Sequence, residues 1–251
     1  MKYAVISDVH GNADALEVVL EHISKNGIDK ILCLGDVFYG PFQPEKIMEL
    51  LMDYNVVYVL GNMDEFLLNK DDKINETRSL ILEKLPLKTF DLIKKWEKSK
   101  IVDNNIYMCH GNHTSNKEYL LEKVKCKTLV LRSLDEIDKS IHKIMQPIIL
   151  CGHSHIPRVI ESSSGQVIIN PGSVGMPCFE SENSEGTYAS ENGASFARYA
   201  TIEVIDGKLC EISHHTLKYQ KGNSINSALE YNRSDYAAWV KTGFREWRRS
   251  K

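Results

Sequence analysis

The chain has 251 residues, with 31 Lys and Arg against 34 Asp and Glu, so its formal net charge is −3. Hydrophobic residues make up 42% and charged residues 26%, values that exclude a collagen-like, disordered or disulfide-scaffold protein. No apolar run approaches the about 18–20 residues of a membrane helix. The first residues reach Asp8 too soon for a signal peptide. Mild acidity argues against general nucleic-acid binding.

The cysteine pattern indicates a reducing compartment. The six cysteines form no C-x-x-C pair, and several lie in apolar runs that are typical of strands. We interpret them as reduced and mostly buried, in a cytoplasmic protein.

The first sixty residues alternate between short β-branched runs and amphipathic stretches. Apolar runs at 3–7, 31–34 and 56–60 predict strands. Apolar residues at helical spacing predict helices over 14–24 and 44–54. This β-α-β-α-β order predicts parallel strands joined by right-handed crossovers.

The middle of the chain mixes charged helical stretches with short strands. Residues 65–100 form a charged, mostly helical insert that is broken at Pro86. Residues 106–109 and 148–151 predict strands, and 115–145 predict one or two helices between them. The insert is expected to shape access to any site on the sheet edge.

The last hundred residues are rich in β-structure signals. Residues 159–169 predict a hairpin, and the runs 199–204 and 209–214 pair across an Asp-Gly turn. Residues 177–197 are rich in Ser, Glu, Asn and Gly, which predicts an exposed, mobile loop that shapes the site. Residues 225–251 are expected to be helical. No repeat or linker divides the chain, so we predict a single α/β domain over 1–251.

Polar residues of the kinds that bind metals follow five successive predicted strands. They are Asp8 and His10, Asp36, Asn62, His110, and the pair His153 and His155. Parallel α/β folds build their sites at this edge of the sheet. The i, i+2 spacing within each pair predicts that its two side chains point the same way. Any one of these residues has an ordinary alternative, such as a helix cap or a surface histidine, but seven together predict a site.

The chemistry of these seven residues indicates transition metals. Two carboxylates, one amide and four imidazoles suit Mn, Fe, Zn or Ni rather than Ca or Mg, which prefer oxygen ligands. Seven ligands are too many for one tetrahedral ion. Two divalent ions about 3.5–4 Å apart, sharing a carboxylate, fit better and suit phosphoryl chemistry. They would add about +4 against two carboxylates, so an acidic protein would still present an electropositive pocket to an anionic substrate.

The ordered series D-x-H, G-D, G-N, H and G-H-x-H resembles the calcineurin-like metallophosphoesterase family, and in particular its small bacterial phosphodiesterase branch. The resemblance covers about residues 1–177. It implies a four-layer α-β-β-α sandwich with mixed central sheets and a dinuclear site at one edge. By this resemblance Asp8, His10, Asp36 and His155 would hold one metal. Asp36, Asn62, His110 and His153 would hold the other, with Asp36 bridging.

The mechanism implied is in-line attack on phosphorus by a hydroxide that bridges the two ions. We assign catalytic roles to Asp36, Asn62 and His10, the last as a stabiliser of developing charge. Asn12 is a candidate contact to the substrate phosphate. Its alternative role is the N-cap of the following helix.

The sequence departs from the family at two places. Many members have a histidine directly after the ligand Asn, where it protonates the leaving group, but here that residue is Met63, which cannot donate a proton. Protein phosphatases carry an Asp-Arg-Gly element where this chain has Asp36 followed by Val37. Without a general acid, we expect a preference for phosphoanhydrides or activated diesters, with dinucleoside polyphosphates such as diadenosine tetraphosphate as one candidate.

The leading hypothesis is therefore a two-metal phosphohydrolase acting on phosphodiesters or phosphoanhydrides. The alternatives are a non-catalytic metal-binding scaffold that binds a partner, and a phosphoprotein phosphatase, which the missing Arg disfavours. The expected partner is a small phosphorylated, nucleotide-like substrate, with no membrane; a homo-oligomer is left open. The basic and aromatic residues at 244–249 suit a helix end better than a nucleic-acid contact.

Overall fold

Within residues 1–69 and 74–245, the part of the chain that the computed structural model describes, there are fourteen strands and eight helices. The strands are β1 (Lys2–Ile6), β2 (Lys30–Cys33), β3 (Val56–Tyr58), β4 (Ser99–Val102), β5 (Ile106–Cys109), β6 (Glu122–Lys125), β7 (Thr128–Leu131), β8 (Ile148–Leu150), β9 (Arg158–Glu161), β10 (Val167–Asn170), β11 (Cys178–Asn183), β12 (Gly186–Glu191), β13 (Ala197–Ile205) and β14 (Lys208–Leu217). The helices are α1 (Ala13–Ser24), α2 (Pro44–Leu51), α3 (Asn62–Leu68), α4 (Glu76–Lys84), α5 (Leu87–Ile93), α6 (Leu134–Ile141), α7 (Gly222–Glu230) and α8 (Ser234–Thr242).

The first sheet has the strand order β14-β13-β1-β2-β3. β1, β2 and β3 are parallel, as the β-α-β-α-β pattern predicts, and β13 and β14 extend the sheet in antiparallel fashion. Alternate residues of β1 face opposite sides: Ala4 and Ile6 pack in the core that contains α1. Tyr3 and Val5 pack against the second sheet. Both faces of the sheet are buried at β1, which explains why the apolar residues of this strand are continuous from Tyr3 to Ile6.

The second sheet, of order β4-β5-β8-β10-β9, packs face to face with the first. Val5 and Leu32 of the first sheet share a core with Met108 and Leu150 of the second. The outer face of the second sheet packs on α6, mainly through Ile137. The four-layer α-β-β-α fold with mixed sheets is thereby confirmed, as is the hairpin predicted for 159–169.

A third sheet, of order β11-β12-β7-β6, overturns one prediction and contains a hairpin that the sequence did not predict. Residues 177–197 are not an exposed loop: β11 and β12 form an antiparallel hairpin with Phe179 and Tyr188 buried. The polar composition belongs to the exposed half of that hairpin. Within 115–145 only α6 is helical, because β6 and β7 form a second hairpin. It turns at Cys126 and Lys127, both at positive φ, a turn that usually carries Asn or Gly and so went unpredicted.

The insert at 65–100 contains the rest of α3 and the helices α4 and α5, as predicted, followed by the start of β4. Within the insert, Ile93 and Trp96 are buried. The Trp96 ring stacks on Tyr58 at 4.5 Å between ring centroids. The insert is therefore fixed to the edge of the first sheet, next to the loop that follows β3.

At the C-terminal end, α7 and α8 pack on the third sheet. A basic helix end was predicted at 244–249, and most of that range lies beyond residue 245, outside the described residues. Four of the six cysteines are buried, as predicted; Cys126 and Cys210 are exposed. No helix in the described ranges has the length and apolar character that crossing a membrane requires.

Candidate metal centre

The seven ligand residues predicted from the sequence meet at one edge of the two packed sheets, in the loops that follow β1, β2, β3, β5 and β8. Backbone hydrogen bonds join these loops to one another. The Asp8 amide donates to the Gly35 carbonyl (3.0 Å) and the His10 amide to the Asp36 carbonyl (2.9 Å). The Gly152 amide donates to the His110 carbonyl (2.8 Å). The main chain therefore fixes the spacing of the ligand side chains.

Five of the seven residues adopt left-handed backbone conformations. The φ angles are 56° at Asp8, 52° at His10, 54° at Asp36, 67° at His153 and 61° at His155. Asp and His tolerate this region better than most residues, but each such position still costs of order 1–3 kcal/mol. Such strain concentrates at functional sites, because surrounding contacts must hold it in place.

The side chains form two groups whose ligand atoms lie close enough to share an ion. One group is Asp8, His10 and His155, and the other is Asp36, His110 and His153. Asn62 joins the second group, since its Oδ1 lies 2.9 Å from His110 Nε2. His153 and His155 both line the same cavity, and they belong to different groups, as the resemblance implies.

Each imidazole has one nitrogen fixed by a backbone carbonyl. The Nδ1–H groups of His10, His110 and His155 donate to the carbonyls of Tyr39 (2.7 Å), Leu34 (2.7 Å) and Met176 (2.6 Å). In His153 it is the Nε2–H that donates, to the Lys117 carbonyl at 3.1 Å. These bonds set the tautomers. They leave Nε2 of three rings, and Nδ1 of His153, free to bind metal.

The residues present fit a metal ion. Asp8 is fully buried, and its Oδ1 has no hydrogen-bond donor among the described residues. That oxygen lies 3.2 Å from His155 Nε2, and the Nε2 atoms of His10 and His155 are also 3.2 Å apart. Two nitrogens on one tetrahedral ion at about 2.1 Å are about 3.4 Å apart. A buried, unpaired carboxylate oxygen facing two imidazoles is the environment that a cation completes.

The charges of the site are strongly coupled. Burial alone would raise the pKa of the Asp8 and Asp36 carboxyls, but the neighbouring imidazoles hold both below the ordinary value. Burial would lower the pKa of His110, yet the Asp36 and Asp8 carboxylates raise it to about 9. For His153, burial and the nearby His110 lower the pKa to about 3. Without metal, His110 carries the positive charge that the carboxylates require.

Comparison with known proteins agrees with this geometry. The model of the calcineurin-like phosphoesterase superfamily domain matches residues 1–195. The chain belongs to this superfamily. It is accordingly a phosphoric ester hydrolase of the metallophosphoesterase type, and the resemblance read from the sequence is confirmed.

Three relatives illustrate the similarity. The uncharacterized protein MJ0912 of Methanocaldococcus jannaschii is 31% identical over 200 residues, which cover 69% of this chain and 76% of that protein. Phosphodiesterase YfcE of Escherichia coli (strain K12) is 26% identical over 188 residues, covering 70% and 81% of the two chains. A crystal structure of a metallophosphoesterase from Sphaerobacter thermophilus matches 97% of this chain and all of that one, with a TM-score of 0.75 and 21% identity.

One residue of this phosphoesterase site was not assigned from the sequence. Asp64 is fully buried, and its carboxylate accepts from the amides of Asp36 (2.7 Å) and Val37 (3.0 Å). The Met63 amide in turn donates to Asp36 Oδ1 at 2.8 Å. The first turn of α3 therefore holds both the backbone and the side chain of Asp36. The only signal in the sequence was an acid two residues after the ligand Asn62.

The predicted phosphate contact of Asn12 is wrong. Asn12 is fully buried and is the N-cap of α1, where its Oδ1 accepts from the Ala15 amide at 3.1 Å. Its Nδ2 donates to the Gly175 carbonyl (2.7 Å) and to the Tyr219 hydroxyl (3.1 Å). With its amide group engaged in these bonds and enclosed by protein, Asn12 has no donor left for a substrate.

A cavity of about 700 Å³ opens over the two groups. His10, Asp36, Asn62, His153 and His155 line its floor, whereas Asp8 and His110 are fully buried. Its other walls come from α8 and the third sheet, together with the segment that leads into β6. This volume lies within the range that holds small organic ligands.

Proposed function

We propose that this metallophosphoesterase hydrolyses phosphodiesters or phosphoanhydrides at a dinuclear metal centre. The observation that carries the proposal is the position of Asp36. Its Oδ2 lies 3.8 Å from His10 Nε2 in one group and 3.4 Å from His110 Nε2 in the other. A carboxylate placed between two ligand groups is the arrangement that a pair of ions shares.

The donor sets assign the ligands. Asp8, His10 and His155 would hold one ion, and Asn62, His110 and His153 the other, with Asp36 common to both. Mixed imidazole and carboxylate donors suit Mn, Fe, Zn or Ni. When bound, such a pair would supply a nucleophilic water at neutral pH and would neutralise charge on the phosphoryl oxygens.

The chain's own residues define the rest of the reaction. The carbonyl of Tyr39 holds Nδ1 of His10, so His10 acts as a ligand through Nε2 and has no proton to give a phosphate. Asp36, kept ionised by His110 and His10, supplies negative charge between the two ion positions. Asn62 and His153 lie on the cavity floor, where an anionic phosphoryl group would rest.

Because residue 63 is a methionine and not a proton donor, we expect substrates with good leaving groups to be preferred. Met63 lines the cavity beside Asn62, and its thioether has no proton to donate. General acid catalysis is worth about 10²–10⁴-fold, and most for poor leaving groups such as alkoxides. Substrates that release a phosphate, a nucleotide or an acidic alcohol lose little by its absence. Dinucleoside polyphosphates such as diadenosine tetraphosphate are therefore candidate substrates.

The cavity also supports a nucleotide-like substrate. Its about 700 Å³ exceeds what a bare phosphate fills. Aromatic side chains, including Tyr236 and Trp239 of α8, also line the cavity. An apolar wall beside an anion site suits a phosphate ester with a ring-bearing group.

The test compares substrates on chelated protein reloaded with Mn²⁺, Fe²⁺, Zn²⁺ or Ni²⁺. We expect two ions per chain and a higher kcat/KM on diadenosine tetraphosphate or bis(p-nitrophenyl) phosphate than on an alkyl monoester. Faster cleavage of the alkyl monoester would refute the leaving-group argument. No turnover with any metal would favour the non-catalytic scaffold instead.

A substitution isolates the role of Met63. Met63→His places an acid where the family usually has one, so hydrolysis of alkyl esters should rise toward the about 10²-fold lower bound of general acid catalysis. The nitrophenyl diester should change little. Met63→Leu, which adds no proton donor, is the matched control.

A further inference from the structure

Two aromatic rings from the third sheet and its approach segment press on the two histidines of the 152–155 loop. The Tyr119 ring stacks on His153, with centroids 4.4 Å apart and an interplanar angle of 22°. The Phe179 ring meets His155 edge-on at 4.5 Å and 61°. Both rings are about nine-tenths buried, at 9% exposure each.

Each histidine contacts such a ring and a second histidine of its own group. The His153 ring lies 5.0 Å from the His110 ring, and the His155 ring lies 5.0 Å from the His10 ring. His153 and His110 belong to one ligand group and His155 and His10 to the other. One aromatic ring therefore serves each group.

The segments that supply the rings also supply the carbonyl bonds. The Lys117 carbonyl accepts from His153 Nε2, and Tyr119 follows two residues later. Met176 accepts from His155 Nδ1, and Phe179 follows three residues later. In both cases one short stretch of chain fixes the tautomer through a hydrogen bond and the ring plane through packing. Free rotation about χ2 would otherwise leave an imidazole to be ordered when the ion binds.

We propose that Tyr119 and Phe179 are positioning residues, each of which holds one histidine of the 152–155 loop in the orientation that its metal ion requires. This inference rests on the proposed dinuclear centre. Tyr119 sets the affinity of the Asp36, His110 and His153 site. Phe179 sets that of the Asp8, His10 and His155 site.

The experiment is a Mn²⁺ titration of the full chain after chelation, followed by calorimetry and by electron paramagnetic resonance. His10→Ala and His153→Ala identify which binding step belongs to which site. Tyr119→Leu should then weaken the His153 site by about tenfold, at the lower end of what outer partners of metal ligands contribute. Phe179→Leu should weaken the His155 site by a similar factor, and each variant should leave the other site unchanged.

Two controls separate positioning from general loosening of the core. Tyr119→Phe keeps the ring and removes the hydrogen bond to the Tyr188 hydroxyl (2.9 Å), so it should bind both ions as the wild type does. Phe42→Leu removes a fully buried ring from the same core, where it packs on Tyr236 rather than on a histidine. It should lower the melting temperature and leave both affinities intact.

The outcomes are distinguishable. If the wild type binds two ions and Tyr119→Leu and Phe179→Leu bind both with unchanged affinity, the positioning role is refuted while the dinuclear centre stands. Equal weakening of both sites by either variant, or by Phe42→Leu, would also overturn it. If the wild type binds fewer than two ions, the proposed function itself fails.

Discussion

The strand-end loops and the third sheet both line the cavity and are built differently. In the loops, main-chain hydrogen bonds and left-handed φ angles place buried charged groups, as at Asp8 and Asp36. In the third sheet, ordinary hairpins place aromatic rings such as Phe179, with acidic side chains on the exposed half.

This difference assigns separate roles to the two regions. Metal binding depends on ligand atoms fixed to within about 0.5 Å, which the hydrogen-bonded backbone of the loops and the packing around the ligand side chains provide. Substrate choice depends on the shape and polarity of the wall, which side chains provide. Changes in the loops should therefore act on metal content. Changes in the wall should act on KM, except at Tyr119 and Phe179, which contact ligand histidines.

The largest effect is expected at Asp36. Asp36→Asn removes the carboxylate shared by both groups, so both ions and nearly all turnover should be lost. The fall in kcat/KM should exceed the about 100-fold that loss of an outer partner costs. Metal content by mass spectrometry and steady-state kinetics check it. Asp135→Asn, an exposed helix acid, is the control. Full turnover of Asp36→Asn would refute the shared-ligand assignment.

A backbone change in the loops should cost stability as well. A Cβ at Gly61 would overlap the carboxylate and the amide nitrogen of Asp36. Gly61→Ala should therefore lower the free energy of unfolding by about 1–3 kcal/mol and displace Asp36. Urea unfolding and metal titration measure the two effects. At Gly222, at the start of α7, an added Cβ meets nothing within 4 Å, so Gly222→Ala should be harmless.

A change in the cavity wall should act on substrate binding and not on metal content. Trp239→Leu removes a ring that lines the cavity, so KM for a nucleotide diester should rise about tenfold, equivalent to about 1.4 kcal/mol. Metal content should stay at the wild-type level. Trp96→Leu changes a ring of similar burial that stacks on Tyr58 away from the cavity, so it should alter stability without altering KM. Loss of metal in Trp239→Leu would break the division of roles.

The smallest effect concerns pH and two acids, Glu122 in the cavity wall and Glu136 in α6. Burial raises the pKa of the Glu122 carboxyl above the ordinary 4.5, although Arg158 lies 2.6 Å away. Above pH 4.5 the unfolded chain then holds fewer protons than the folded chain, so this group's contribution to the free energy of unfolding falls as pH rises through the folded pKa. Unfolding of Glu122→Gln from pH 4.5 to 8 should show a shallower decline.

The pKa of the Glu136 carboxyl is shifted in the opposite direction, so its contribution to stability has the opposite pH dependence. The Lys123 ammonium and the Ser133 backbone and hydroxyl lower its pKa to about 2. Its stabilising contribution is present above its ordinary pKa of 4.5 and is lost as pH falls toward 2. Glu136→Gln should therefore change stability at neutral pH and leave it unaltered near pH 2. The same slope in both Gln variants would contradict the pKa assignments.

The sequence by itself determined the parallel β1-β2-β3 order and the seven residues that are the candidate ligands. Both are local signals: apolar periodicity marks a strand, and Asp, Asn or His placed directly after it marks the edge where sites form. The lack of a proton donor at Met63 could also be predicted from the sequence, because it is a property of one residue type.

Only the tertiary structure decided how these residues are supported. The left-handed backbone of Asp8 and His10 is held by amide hydrogen bonds to the loop that follows β2. The acceptor role of Asp64 and the rings of Tyr119 and Phe179 depend on contacts with residues distant in the chain. The Asn12 amide is an N-cap because α1 and residues near 175 and 219 surround it. A sequence states which groups are present, but contacts between remote segments decide which of them meet.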